Sequence, residues 1–291
     1  HAIPRRQRQM CIRDRTSRGY PEVFLISDTE PQKRVHGMKV VFLGTTGYHP
    51  NNSRHTACLM VPELGLVFDA GTGLFRARDH LQTSHLEIFL SHVHLDHCVG
   101  LTFLFDVLRD QDVEDVRVYG EPDKLAALDE HLFSSLLFPV KPPCEFVPLR
   151  GESHRLISGG EVRWFPLEHP GGSLGFVIEH QGQKMAYVTD TTASVSADYV
   201  EHVRGVDMLI HECYFPDGQE QLAKLTGHSC ATPVAEVAAA AGVGKLILVH
   251  VDPMHDDESS LDCDSMRRIF PNITLACDGL EVDWGRPEST A

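Results

Sequence analysis

Short apolar runs of strand length recur along the chain and limit what it can fold into. KVVFLG, ACLMV, GLVFDAG and LEIFLS come early, and VRWFPLE, LGFVIEH, KMAYVTD, DMLIHE, KLILVHV and ITLACDG come later. Each suits a strand better than a helix, and several are rich in Val, Ile and aromatic residues. Helical patterns lie between them. PDKLAALDEHLF has Pro122 near its first turn. TPVAEVAAAAGVG offers Thr232 as N-cap, Pro233 at the first helical position and Gly242 as a stop. DDESSLDCDSMRRIF carries acids early and Arg267 and Arg268 late, as a helix dipole prefers. There is no internal repeat and no low-complexity linker. The expectation is a mixed α/β domain with two sheets covered by helices, and 291 residues give it an ample core.

Polar residues gather where the strand patterns end. His92 follows LEIFL, Asp190 ends KMAYVT and His250 ends KLILV. Loops on a rigid scaffold are where catalytic groups usually sit. The stretch SHVHLDHCVG, Ser91 to Gly100, crowds His92, His94, Asp96 and His97 into six residues. In an extended segment, side chains at i, i+2 and i+4 share a face. His92, His94 and Asp96 would then converge on one point, with His97 turned toward a second. Imidazole plus carboxylate suits zinc, manganese or iron. Further candidates follow at His169, Asp190, His211 with Glu212, His228 and His250. Most of the other histidines, among the chain's 18, read as ordinary surface or core residues.

Composition narrows the surroundings. No apolar run approaches the roughly 20 residues that span a bilayer, and no apolar segment of a secretory signal follows the arginine-rich start. RRQRQMCIRDR, Arg5 to Arg15, back-translates into a transposase sequencing adapter. Residues 1–37 are therefore expected to be a disordered non-native extension, with the natural domain over 38–291 beginning at Met38. The formal charge is −15; residues 1–18 hold six Arg and one Asp, so the rest carries −20. Such a surface repels nucleic acid in general, although a site supplied with metal ions still accepts a phosphate. Eight scattered cysteines without a C-x-x-C pair argue for a reducing compartment, and a cytoplasmic protein is expected.

H-x-H-x-D-H after a strand, preceded by FDAGTG and followed by a histidine, an aspartate and a last histidine at a strand end, resembles the metallo-β-lactamase superfamily. The resemblance covers Met38 to about Gly279. It implies a four-layer αββα sandwich with two divalent metal ions, zinc first and manganese or iron as alternatives, between the sheet tops. His92, His94 and His169 would hold one metal, and Asp96, His97 and His250 the other. Asp190 would bridge them together with a water or hydroxide. Asp69 of FDAGTG would support a ligating imidazole or pin its loop, and His211 would stand behind the ligands.

Within the superfamily, LIHECYF, GHSCA and FLGTTGYHPNNSRH resemble the loops of ribonuclease Z and its phosphodiesterase relatives. This implies that His228 assists phosphate chemistry, oriented by Glu212, with Asp96 a further catalytic candidate. Arg54, Ser173 and Ser229 would contact substrate. The opening loop departs from the family pattern at Asn52 and His55, where lysine and asparagine are usual, and Cys230 replaces a threonine. Only 20 residues separate His169 from Asp190, which leaves no room for the Gly/Pro-rich arm that grips tRNA. The resemblance thus implies a phosphodiesterase or ribonuclease Z-like endoribonuclease acting on RNA, a cyclic nucleotide or a small diester, possible as a homodimer. An acyl hydrolase of the lactamase or glyoxalase type, and an inactive ligand-binding member, are the alternatives.

Overall fold

A computed structural model describes residues 38–151, 154–157 and 159–284. The expected extension, residues 1–37, lies outside the described residues. Strands β1 (Met38–Gly44), β2 (Cys58–Val61), β3 (Leu66–Phe68), β4 (His85–Phe89), β5 (Asp115–Gly120) and β6 (Glu145–Pro148) build the first sheet. Strands β7 (His154–Ile157), β8 (Gly160–Leu167), β9 (Ser173–His180), β10 (Gln183–Val188), β11 (Met208–Glu212), β12 (Leu246–Val249) and β13 (Ile273–Leu275) build the second. β14 (Glu281–Trp284) returns to the first sheet and pairs with β1. The sheet orders are β14-β1-β2-β3-β4-β5-β6 and β13-β12-β11-β10-β9-β8-β7.

Each sheet changes character along its width. Pairing is antiparallel from β14 to β3 and parallel from β3 to β6. It is antiparallel from β7 to β10 and parallel from β10 to β13. Parallel strands are normally buried on both faces, and the burial pattern agrees: β11 and β12 have no exposed residue.

Strand alternation sorts the apolar residues into three buried layers. Val40, Phe42, Ile247 and Val249 face the space between the sheets. Val41 and Leu43 face the helical segments 72–80, 95–107 and 122–132. Leu246 and Leu248 face the helices Tyr199–His202, Ala231–Ala241 and Cys263–Ile269. Three apolar interfaces require four layers, so the expected αββα sandwich is the architecture found. An aromatic cluster seals its centre. Phe89 stacks on Tyr119 at 4.6 Å and meets Phe176 edge-on at 5.8 Å, while Phe68 lies 5.4 Å from Phe176. Each fully buried Phe contributes about 1.5–3 kcal/mol.

Three sequence expectations change in detail. The helix read from Thr232 starts at Ala231, after Cys230. Thr232 donates its backbone N–H and its hydroxyl to Asp217 at 2.9 and 2.6 Å, so a distant carboxylate does the capping. The pattern from Asp256 yields a helix only over Cys263–Ile269, capped by Asp262. Around the histidines, only the chain up to His94 is extended, and Leu95–Cys98 is already a helical turn.

Candidate metal centre

The C-terminal ends of the central strands converge at one edge of the sandwich. Asp69 follows β3, His92 follows β4, His169 follows β8, Asp190 follows β10, Glu212 ends β11 and His250 follows β12. The helical turn after His94 corrects the extended reading of this stretch. Asp96 does not join His92 and His94; it turns with His97 toward His250.

Two clusters of donor atoms result. His92 Nε2 lies 3.0 Å from His94 Nδ1, which is 3.3 Å from His169 Nε2. Asp190 Oδ2 is 3.5 Å from both His92 Nε2 and His169 Nε2. In the second cluster, His97 Nε2 and His250 Nε2 are 3.1 Å apart. Asp96 Oδ2 sits 3.4 and 3.3 Å from them, and Asp190 Oδ1 sits 3.3 Å from each. Asp190 thus gives one oxygen to each cluster.

Hydrogen-bond directions show what these atoms face. His169 Nδ1 donates to the Gly227 carbonyl at 3.0 Å, and His97 Nδ1 donates to Asp69 Oδ2 at 2.8 Å. Ser91 Oγ is spent as a donor on Asp69, so it accepts from His92 Nδ1 at 3.0 Å. In these neutral rings the Nε2 lone pair therefore points inward. Lone pairs meeting carboxylate oxygens repel one another unless a cation lies between. Four ligands held tetrahedrally at 2.0–2.1 Å from a zinc ion stand about 3.3 Å apart, which matches the separations found. The residues fit two divalent ions.

The electrostatics agree for the first cluster and run the other way at His97, whose Nε2 a cation would have to deprotonate. Burial pushes His92, His94 and His169 down, toward the neutral form a metal needs. Burial also opposes charge on His97, yet Asp190, Asp96 and Asp69 outweigh it and push that ring up. The same carboxylates would attract a cation. Tyr48, Asp69, Asp190 and His250, all at this centre, have positive φ between 50° and 59°. Left-handed backbone at non-glycine residues costs of order 1–3 kcal/mol each and gathers at functional sites. Gly47 has to be glycine because a Cβ there would lie 2.4 Å from the His250 ring.

Beside the centre stands a second pair. Glu212 is fully buried. Its Oε1 accepts from Thr191 N at 2.9 Å and from His228 Nδ1 at 3.1 Å, and its Oε2 accepts from Ser229 N at 3.1 Å. Burial works against charge on His228, but Glu212 outweighs it and pushes the ring up to about 9. Tyr214 stacks on one side of His228 at 4.9 Å, and His250 lies 5.3 Å from it. A cleft of about 810 Å³ opens here, reaching Asp96, Asp190, His228 and His250.

Four other sequence candidates lie elsewhere. Arg54 is 7% exposed and spends its guanidinium on Asp256, Thr45 Oγ1 and the Ala276 carbonyl. Ser229 is buried, donating to the Thr191 carbonyl and accepting from Ala193 N. Ser173 is buried at the start of β9, 3.4 Å from the Thr189 carbonyl. None of the three lines the cleft. His211 is buried on the far face of β11, bonded to Tyr199 Oη at 2.9 Å, and pairs with no donor of the two clusters. Conversely, the structure adds residues not singled out from sequence. Ser91 links Asp69 to His92, and Tyr187 Oη donates to Asp69 at 2.8 Å. Adjacency to the motif could have flagged Ser91; Tyr187 and Tyr48 depend on tertiary contacts that leave no local signal.

The segment between His169 and Asp190 is an ordinary hairpin. β9 and β10 are joined by Gln181 and Gly182, both with positive φ, as a tight two-residue turn requires.

Comparison with known proteins follows this geometry. Residues 65–251 match the family described as the Beta-lactamase superfamily domain. Ribonuclease Z of Gloeothece citriformis is 30% identical, covering 87% of this chain and 98% of that protein. The alignment runs over 313 positions, more than the 291 residues here, so the relative carries insertions that this chain lacks. Ribonuclease Z of Metallosphaera sedula is 29% identical, covering 80% of this chain and 94% of that protein. Among solved structures, the short form of human tRNase Z superposes with a TM-score of 0.68 at 23% identity, covering 86% of this chain and all of that one. The metallo-β-lactamase fold protein YhfI of Bacillus subtilis gives 0.70 at 19%, covering 85% of this chain and all of that one. That fold implies divalent metal binding, and the donor clusters are in place for it. The chain is a member of the β-lactamase superfamily, on its ribonuclease Z branch.

Proposed function

We propose that this protein hydrolyses phosphodiester bonds at a centre of two divalent metal ions, zinc by preference. The observation that carries the reading is the pairing of two donor clusters, joined through Asp190, with His228 held by Glu212 at the same cleft. His92, His94 and His169 would hold one ion, Asp96, His97 and His250 the other, with Asp190 offering an oxygen to each. When bound, such ions lower the pKa of a water and clamp phosphate oxygens.

The chain's own residues supply the rest. Asp69 fixes His97 directly and His92 through Ser91. Glu212 accepts the hydrogen bond from His228 Nδ1–H, which turns Nε2–H toward the cleft. From there His228 gives a proton to the departing oxygen or steadies charge on the phosphate. Tyr214 shields the ring from water on one face. Arg54, Ser173 and Ser229 serve this reading as braces rather than as substrate contacts. The relatives named ribonuclease Z support an RNA phosphodiester as one substrate class. A cytoplasmic location belongs to the same reading, supported by free thiols at Cys58, Cys98, Cys144, Cys213, Cys230, Cys263 and Cys277. No helix among the described residues is long and apolar enough to cross a membrane. A homodimer is part of the proposal.

The test is turnover of bis(p-nitrophenyl) phosphate by protein loaded separately with zinc and manganese. Wild type should turn over, and Asp190→Ala should lose both turnover and bound metal. His228→Ala should lose about 100-fold in kcat at unchanged metal content. A wild type that stays inert at full metal occupancy would transfer the assignment to acyl hydrolysis.

A further inference from the structure

Tyr48 is out of place if its task is structural. Its φ of 59° belongs to the left-handed region, and its side chain is 75% exposed. Its backbone N–H does useful work, donating to Asp96 Oδ2 at 2.8 Å. A glycine would supply the same N–H without strain. Among the described residues, the tyrosyl hydroxyl has no hydrogen-bond partner in the structure, and the ring is propped edge-on by His49 at 5.1 Å. A strained, exposed aromatic points to a task outside the fold.

The ring lines the cleft that reaches the donor clusters, and the rest of the lining says what the cleft accepts. Tyr214, Phe215, Leu95 and Leu222 give it apolar walls; Leu95 and Leu222 are themselves exposed. Its charged lining besides histidine is acidic, from Asp96, Asp190 and Asp252, and no lysine or arginine lines it among the described residues. A polyanionic strand binds through many cations, which this cleft does not offer. One phosphate can be neutralised at the metal end, with a flat apolar group left for the walls.

We propose that Tyr48 is the stacking platform that selects the substrate: a phosphodiester with a single negative charge and at least one planar aromatic substituent, aryl or nucleobase. The proposal rests on the phosphodiesterase reading, and its test separates the two. Base–aromatic stacking is worth about a tenfold change in affinity or more.

The experiment uses the metal-loaded full chain, with Tyr48→Gly and Tyr48→Phe. Kinetics are read on bis(p-nitrophenyl) phosphate. Binding is read by calorimetry with two monoanions whose phosphorus carries no ester bond to cleave, methyl(phenyl)phosphinate and dimethylphosphinate. Tyr48→Gly should raise KM, and the Kd of the phenyl compound, about tenfold, while the Kd of the methyl compound stays put. The loss should fall on KM rather than kcat, and Tyr48→Phe should restore it. The melting temperature of Tyr48→Gly should not fall, since the strain is relieved. Unchanged affinity for the phenyl compound, or an equal loss for both phosphinates, overturns the proposal. So does a short RNA strand that competes as tightly as the phenyl compound. A wild type that discriminates the phosphinates through Tyr48, yet hydrolyses no phosphodiester, keeps the stacking role of Tyr48 and removes the phosphodiesterase reading.

Discussion

Asp69 shows how one side chain sets the protonation of others. Its Oδ1 accepts from the backbone N–H of Ser91 at 2.8 Å, and its Oδ2 accepts from His97 Nδ1 and Tyr187 Oη, each at 2.8 Å. The Ser91 N–H can only donate, and His97 must donate from Nδ1 if its Nε2 is to ligate. Asparagine cannot satisfy both, because whichever way its amide turns, an N–H faces an N–H. In Asp69→Asn, His97 is expected to shift its proton to Nε2. One of the two metals should then bind about 10–100-fold more weakly, with the other site little changed. Chelator competition with two resolved metal equivalents measures this; two equivalents held at wild-type affinity would remove Asp69 from its orienting role. At this scale, the gathering of the candidate donors was legible, because their types recur at strand ends that the fold brings to one edge. Arg54, Ser173 and Ser229 were misread for the opposite reason. Polar residues in a motif loop look like substrate contacts, and only burial reveals that their donors are already used inside the fold.

The helix Ala231–Ala241 illustrates what a sequence pattern can and cannot locate at the level of elements. Gly242, with φ 64°, stops it where the pattern places the stop. The start lies one residue earlier than the pattern places it: Cys230 stands at the N-cap without a side-chain bond, and Asp217 binds Thr232 from 15 residues upstream. A cap of this kind is worth about 0.5–2 kcal/mol. Asp217→Ala should therefore lower the melting temperature by about 2–4 °C, with phosphodiesterase turnover and metal content kept. An unchanged melting curve would mean the helix end is satisfied by solvent. The strands were legible throughout, since alternation and strand length come from local sequence. The turn Leu95–Cys98 was not, because Asp96 and His97 adopt helical geometry to reach His250, 153 residues away from His97. The pairing of Asp96 with His97 rather than with His92 is a tertiary fact.

Taken as a whole molecule, the described residues supply every layer of the sandwich and both donor clusters from Met38 onward. β1 starts at Met38 and lies between β14 and β2, bonded to both. Its Val40 and Phe42 enter the layer between the sheets, and Val41 and Leu43 enter the outer layer. The strand thus fastens the start of the domain to its C-terminal strand, and the Gly47 backbone that follows packs on the His250 ring. Residues 1–37 lie outside the described residues, and within them RRQRQMCIRDR, Arg5 to Arg15, reads as adapter-derived. A chain begun at Met38 should keep the melting temperature within about 2 °C, a shift of less than about 1 kcal/mol for a domain of this size. Metal stoichiometry and turnover should match those of the full chain. A chain begun at Val41 should do neither, since it loses the residues that pair with Val282, Asp283 and Trp284 and opens the first sheet at β14. Differential scanning calorimetry of the two truncations, beside the full chain, distinguishes a dispensable extension from a required one. Destabilisation of the Met38 chain by several degrees would show that the preceding residues take part in the fold.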